Sequence, residues 1–200
     1  MEMFKPAVKV PVGMQTLDFW PMSYTDPENP PKYDGRVHLG AAVKGYLTIT
    51  TDPATIAGDD TTQLYAEVFS GAQLDTETTM NDLKLNALLF GHEIPDENAE
   101  LSRSVDMPQY GGISFIEPIL VKDRGVVYRA TCLFKCVAMS SSEKQEADTR
   151  KPGDFNPKMN AVSFKVFENE KKVWRIRQEF GYADEAEAFI LNTFGAAAEG

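Results

Sequence analysis

From Val126 to Ala138 the chain alternates without a break. Val126, Tyr128, Ala130, Cys132, Phe134, Cys136 and Ala138 fall on one side, and Arg129, Thr131, Leu133, Lys135 and Val137 on the other. A period of two with one apolar side marks a half-buried strand. It also limits what the only two cysteines, Cys132 and Cys136, can do. Residues four apart on a strand share a face but lie about 13 Å apart, at roughly 3.3 Å per residue. A disulfide needs Cα atoms within about 7 Å. One zinc ion cannot take both thiolates at bonds of about 2.3 Å without breaking the strand. A helix would revive the metal idea, and the alternation argues against a helix. Free cysteine packs as a small hydrophobe, so both thiols are expected in the core.

Other stretches extend the strand reading. "VHLGAAVKGYLTITT", 37–51, places Val43, Gly45, Leu47 and Ile49 on one face and Lys44, Tyr46, Thr48 and Thr50 on the other. "DPATIAGDDTT", 52–62, is turn chemistry. "QLYAEVFS" and, after Gly71, "AQLDTETTM" read as two further strands. "ISFIEPILV" turns at "KDRG" into the alternating run, forming a central hairpin. A polar loop spans 140–158, and "NAVSFKVF" and "KVWRIRQEF" are expected to pair across "ENEK". The segment 93–109 is acidic and irregular, and "YGGI" at 110–113 reads as a turn.

Two helices are expected. In the first, Asn81 or Asp82 caps the N-terminus, Gly91 supplies the left-handed C-terminal residue, and Leu83, Ala87, Leu88 and Phe90 form the apolar stripe. In the second, Asp184 and Glu187 make a capping-box-like start, and Ala186, Phe189, Ile190 and Phe194 share a face. Residues 1–36 contain Pro6, Pro11, Pro21, Pro27, Pro30 and Pro31, and read as an extended arm. That arm carries Leu17, Phe19, Trp20 and Tyr24, which need a surface to lie on, in this subunit or a neighbour. The expected organisation is an arm, 1–36, one β domain, 37–195, and a frayed tail, 196–200. With no βαβ alternation, the expected class is mainly β: an antiparallel β-sandwich or partial barrel with a short flanking helix and a C-terminal helix.

The 200 residues are enough for one domain with a sizeable core. Thirty Asp and Glu against twenty Lys and Arg give a net charge of −10, which opposes binding nucleic acid through phosphate contacts. That charge serves solubility, or keeps a surface from sticking to a polyanion. "MEMFKPAVKV" lacks the apolar run of a signal peptide, and no stretch approaches the roughly 20 apolar residues of a membrane span. Two cysteines without a secretory signal point to reduced thiols in a cytoplasm.

Catalytic patterns are absent. There is no G-x-S-x-G, Walker loop, G-x-G-x-x-G or H-E-x-x-H. His38 and His92 have no cysteine or carboxylate at ligand spacing and read as surface histidines. Glu67, Asp75 and Glu77 resemble paired carboxylates only loosely and read as a solvated face. Arg175 and Arg177 share a strand face, too few for a nucleic-acid footprint but suited to an intersubunit salt bridge. No enzyme, cofactor or metal is expected.

The order of these stretches carries a resemblance. "RVHLGAAVKGYLTIT", "TTQLYAEVFSGAQLDTETTMNDLKLNALLFGHE", "GGISFIEPILVKDRGVVYRATCLFKCVAMSSSEKQEADTRKPGD" and the closing "AVSFKVF", "KVWRIRQEF" and "DEAEAFILNTF" follow one another. From about Val12 to Phe194 the chain resembles the major tail proteins, or tail tube proteins, of long-tailed siphophages. It departs from them in a proline-richer arm, "PENPPKY", and in Glu67-Val68, where the family often shows a pair of acids. The resemblance implies a β-sandwich-like subunit, six copies joining their sheets into one ring barrel, and rings stacking into a tube that passes double-stranded DNA. It implies a virion protein assembled in the host cytoplasm. The implied partners are other copies of itself, a tape-measure protein that sets tube length, a tail terminator and distal tail or baseplate proteins. Gln73, Asp75 and Glu77 are the expected lumen-facing residues. Trp20, Tyr24, Ile56, Asp59, Asp60, Arg175 and Arg177 are the expected contacts within or between rings. The alternatives are the inner tube of a contractile tail or secretion device, a surface carbohydrate-binding β-sandwich, and a zinc enzyme built on the cysteines.

Overall fold

Antiparallel pairing around the alternating run organises the chain. The computed structural model describes residues 8–23, 32–58, 61–80, 82–122, 125–143 and 159–195, without the side chains of 55–58 and 61–65. In chain order the elements are β1 (Lys9–Pro11), β2 (Gln15–Ser23), β3 (Lys32–Tyr33), β4 (Val37–His38), β5 (Ala42–Gly58), β6 (Thr61–Thr78) and α1 (Leu83–Phe90). They continue with β7 (Glu93–Asp96), β8 (Ala99–Leu101), β9 (Tyr110–Val121), β10 (Gly125–Ala138), β11 (Asn160–Phe167), β12 (Arg175–Phe180) and α2 (Ala183–Gly195). The main sheet runs β3-β2-β9-β10-β11-β6-β5, with β1 on β9, β12 on β10 and β4 on β2. The chain is mainly β, with antiparallel strands and two helices.

The sheet curls. β9 and β10 separate β2 from β11 in the strand order, yet Phe19 of β2 stacks on Phe164 of β11 with ring centroids 6.3 Å apart. The concave side holds one core: Leu17, Phe19, Ile113, Leu133, Phe164 and Leu74, closed by Leu85, Leu89 and Phe90 of α1. The convex side holds another: Trp20, Ile116, Ala130 and Cys132 under Ala186, Ile190 and Phe194 of α2. Consecutive glycines let these layers close on β9. A Cβ at Gly111 would meet Phe19 Cζ at 2.4 Å, and one at Gly112 would meet Phe194 Cε1 at 2.3 Å.

β10 departs from the expected strict alternation. Its register with β9 shifts between Leu133 and Cys136. A bulge inserts one residue and turns the following side chains over. Cys132 therefore packs in the convex core and Cys136 in the concave one. Both are free and buried; they pack as expected, but not on the same face. At the same bulge β10 changes partner, from β12 through Leu133 to β11 from Lys135. The expected pairing of β11 with β12 is overturned: each pairs with β10, and none joins them. Asn169 makes the connection, accepting the Lys171 and Val173 N–H groups through Oδ1.

Part of the arm takes the first of its two expected resting places. β1 and β2 pair with β9, and Leu17 and Phe19 are fully buried, so this part of residues 1–36 lies on its own subunit. The expected loop at 52–62 is strand through Gly58. Pro53, opposite Glu67, is tolerated because β5 is an edge strand. Gly71 does not separate two strands; the register shift there marks a bulge at Ser70 within one 18-residue strand. The 37–51 strand breaks at Leu39–Gly40, where Gly40 takes φ 92° against Met80. Residues 93–101 form a hairpin, β7–β8, and 110–113 begin β9 rather than a turn.

Both helix placements hold, but their details shift. Asp82 accepts from the Lys84 and Leu85 N–H groups, and Gly91 is left-handed at φ 78°. The buried stripe of α1 is Leu85, Ala87, Leu89 and Phe90, while Leu83 is exposed. At α2, Glu185 rather than Glu187 accepts, from the Tyr182 N–H.

Candidate functional site

The most distinctive polar cluster lies on the concave side, where the core runs out. Register places Arg129, Thr131 and Leu133 of β10 between Glu117, Phe115 and Ile113 of β9 and Glu179, Arg177 and Arg175 of β12. Leu133 belongs to the core, so its row neighbours point the same way, toward β5 and β6. Between the rows is a cavity of about 190 Å³ with Leu47, Leu74 and Phe115 among its apolar walls and Arg129, Arg175 and Arg177 among its polar ones.

The three arginines differ. Arg129 Nη2 donates to Glu179 at 2.8 Å, and its Nη1 is 4.0 Å from Glu117. Lys9 pairs with Glu179 too, and its hydrogen bond, then that of Arg129, holds Glu179 below the usual carboxylate range. Arg175 rests on the Trp174 ring, 4.2 Å from its centroid, and Trp174 stacks on Phe69 at 4.6 Å. Burial, then the like charge of Arg177, weakens the hold of Arg175 on its proton; Glu117 offsets this in part. Among the described residues neither Arg175 nor Arg177 has an ion-pair partner. Glu117 and Thr131 also border the cavity; the Thr131 hydroxyl itself is buried beneath it and has no hydrogen-bond partner among the described residues. The cluster can attract and orient an anion.

Gln73, Asp75 and Glu77 share the outer face of β6, opposite the buried Leu74 and Thr76. Gln73 Nε2 donates to Asp75 at 2.8 Å, Ser163 also donates to Asp75, and Lys44 is 3.6 Å from Glu77. Lys165 lies opposite Gln73 on β11, so two lysines balance the two carboxylates on these rows. Glu67 is separated from them by the Ser70 bulge and accepts from Thr51.

Trp20 is corrected as an intersubunit contact. It is 4% exposed, donates to Ser114 Oγ at 2.9 Å and stacks on Phe194. Tyr24, Asp59 and Asp60 lie outside the described residues, as does the side chain of Ile56. Arg175 and Arg177 do share one face of β12.

The fold also supplies carboxylates to both histidines, which sequence spacing did not reveal. Fully buried Asp18 accepts from Arg36 Nε and pairs with His38 Nδ1, each at 2.8 Å. Arg36 continues to Glu187 of α2 at 2.6 Å. Burial alone would lower Arg36, but the hydrogen bond to Glu187 and the charges of Asp18 and Glu187 raise it above its ordinary value. His92 Nδ1 is hydrogen-bonded to Glu100, and its Nε2 is 3.7 Å from Glu143. These three have ligand atoms within 4.8 Å of one another, the grouping among the described residues that could hold a metal. Each ring nitrogen already faces its own carboxylate, so the trio clamps β8 to the segment after β10.

Among the described residues no helix is long and apolar enough to cross a membrane. A scan against models of known protein families matches none, and a search of curated proteins finds no match.

Proposed function

We propose that the chain is a structural subunit that assembles with copies of itself, as the major tail tube protein of a long-tailed phage does. Six copies close a ring by joining their sheets, and rings stack into a conduit for the genome. The observation that carries this reading is the edge strand β5. It runs 17 residues and, among the described residues, pairs only with β6. Its Val43 is 53% exposed and its Tyr46 64%. A long edge strand bearing apolar groups invites pairing with another chain, and closing a ring removes that edge. Head-to-tail contacts of this kind form rings and then open stacks.

In this reading Gln73, Asp75 and Glu77 face the lumen. Lys44 and Lys165 on the neighbouring strands make that face nearly neutral, so DNA slides because nothing grips it, and wider repulsion comes from the net charge of −10. The arginine cluster on β12 is a contact between subunits. Partners at the tube ends and a tape-measure protein in the lumen complete the tail, and no catalysis is required. A carbohydrate-binding surface fits less well: Trp20 is core, and Trp174 lies between Phe69 and Arg175 rather than forming an open aromatic platform.

Negative-stain microscopy of the purified protein tests the proposal. Six-fold rings or tubes with a central hole are expected. A strictly monomeric protein at high concentration, with no tube under any condition, overturns it.

A further inference from the structure

We propose that the cavity beside Arg175 and Arg177 is a binding site for one oxyanion, a carboxylate or a phosphate group. This inference stands on the cavity and does not require the tube. Arg175 and Arg177 line it without an ion-pair partner among the described residues; Glu117 lines it too and offsets part of the charge at Arg175, leaving two guanidinium groups against one carboxylate. Guanidinium presents planar donors that match the paired oxygens of such groups. The Trp174 ring holds Arg175 in place, which lowers the ordering cost of binding. Arg129 is already engaged by Glu179 and approached by Glu117, so it closes the site's far side instead of competing for the anion.

The register places Arg175 and Arg177 two residues apart on one face of β12, so both guanidinium groups reach the same volume. The volume of about 190 Å³ admits one oxyanion with a few waters.

The probe is inorganic phosphate, titrated at low ionic strength into the full-length protein and followed by tryptophan fluorescence. Trp174 reports directly because Arg175 lies on its ring. A saturable change is expected in the wild type. Arg177→Gln is expected to weaken it at least about tenfold. Arg175→Gln is expected to weaken it about threefold to tenfold. Circular dichroism and a melting curve establish that both variants are folded. A response that never saturates in the wild type, or an unchanged midpoint in both folded variants, overturns the proposal. Sedimentation of concentrated protein with and without phosphate then separates the two sources of the group. If bound phosphate dissociates self-associated protein, the resident group is a carboxylate of a second copy; if it binds without changing the sedimentation, the ligand is a free ion.

Discussion

Asp18 is fully buried, with each carboxylate oxygen matched to a nitrogen at 2.8 Å. Removing one partner of a buried pair leaves the other uncompensated. Asp18→Ala is expected to cost roughly 2–3 kcal/mol, at the low end for such a loss, because Arg36 keeps Glu187 and some solvent. Denaturant unfolding measures it; a loss within about 0.5 kcal/mol, as at an ordinary surface site, contradicts the network's importance. The cysteines make a second residue-scale prediction. Burial pushes the Cys132 thiol up to about 12, partly offset by a hydrogen bond with Thr193, and burial pushes Cys136 higher still. The folded chain therefore keeps protons that the unfolded chain releases near pH 8.5. Their contribution to stability is complete below about pH 8.5 and is lost as pH climbs toward the folded values. Wild-type protein should lose stability above about pH 9 more steeply than a Cys132→Val, Cys136→Val double variant. That variant should stay within about 1.5 kcal/mol per site at neutral pH and still form rings. In the wild type, a thiol reagent should label neither cysteine before unfolding.

At the scale of elements, the glycine pair on β9 sets how closely the layers pack. Gly112→Ala drives a methyl into the Phe194 ring and is expected to cost about 1–3 kcal/mol. The melting temperature should fall, and the Trp20 emission should shift as α2 is displaced from the convex face. A variant with wild-type melting and emission would mean that α2 yields freely. Several elements were legible from residues alone. The β9–β10 hairpin follows from alternation, and α1 follows from Asp82 and Gly91, because these signals are local. The partner switch of β10 was not legible: a bulge between Leu133 and Cys136 leaves the alternation in sequence intact while reversing the faces in space. β2 was hidden by Pro21 and the prolines that flank it in the arm, and β5 by Asp52-Pro53, since an edge strand accommodates residues that an interior strand rejects. Part of the cationic cavity was visible as Arg175 and Arg177 on one face. Thr131 was not, because its isolation depends on what packs across from it. The carboxylates reach the histidines through strand pairing and turns, eight residues away for Glu100 and twenty for Asp18, which no ligand-spacing rule reaches.

For the whole molecule, the exposed edge of β5 is the testable surface. A Val43→Lys, Tyr46→Lys double variant should melt as the wild type does, since both side chains already meet solvent. It should yield no rings under the microscope, because charges on an edge block strand addition. Rings from this variant would move the subunit contact elsewhere. The molecule is also unevenly joined. In strand pairing, among the described residues, β12 on one side and β11, β6 and β5 on the other meet only through β10, while Phe69 packs on Trp174 across the same divide. Hydrogen exchange should therefore treat Ala130 to Ala138 as the last and most cooperative unit to open, since neither half of the sheet can detach without breaking it. A force that pulls the sheet apart across its strands therefore falls on β10, which carries both pairings.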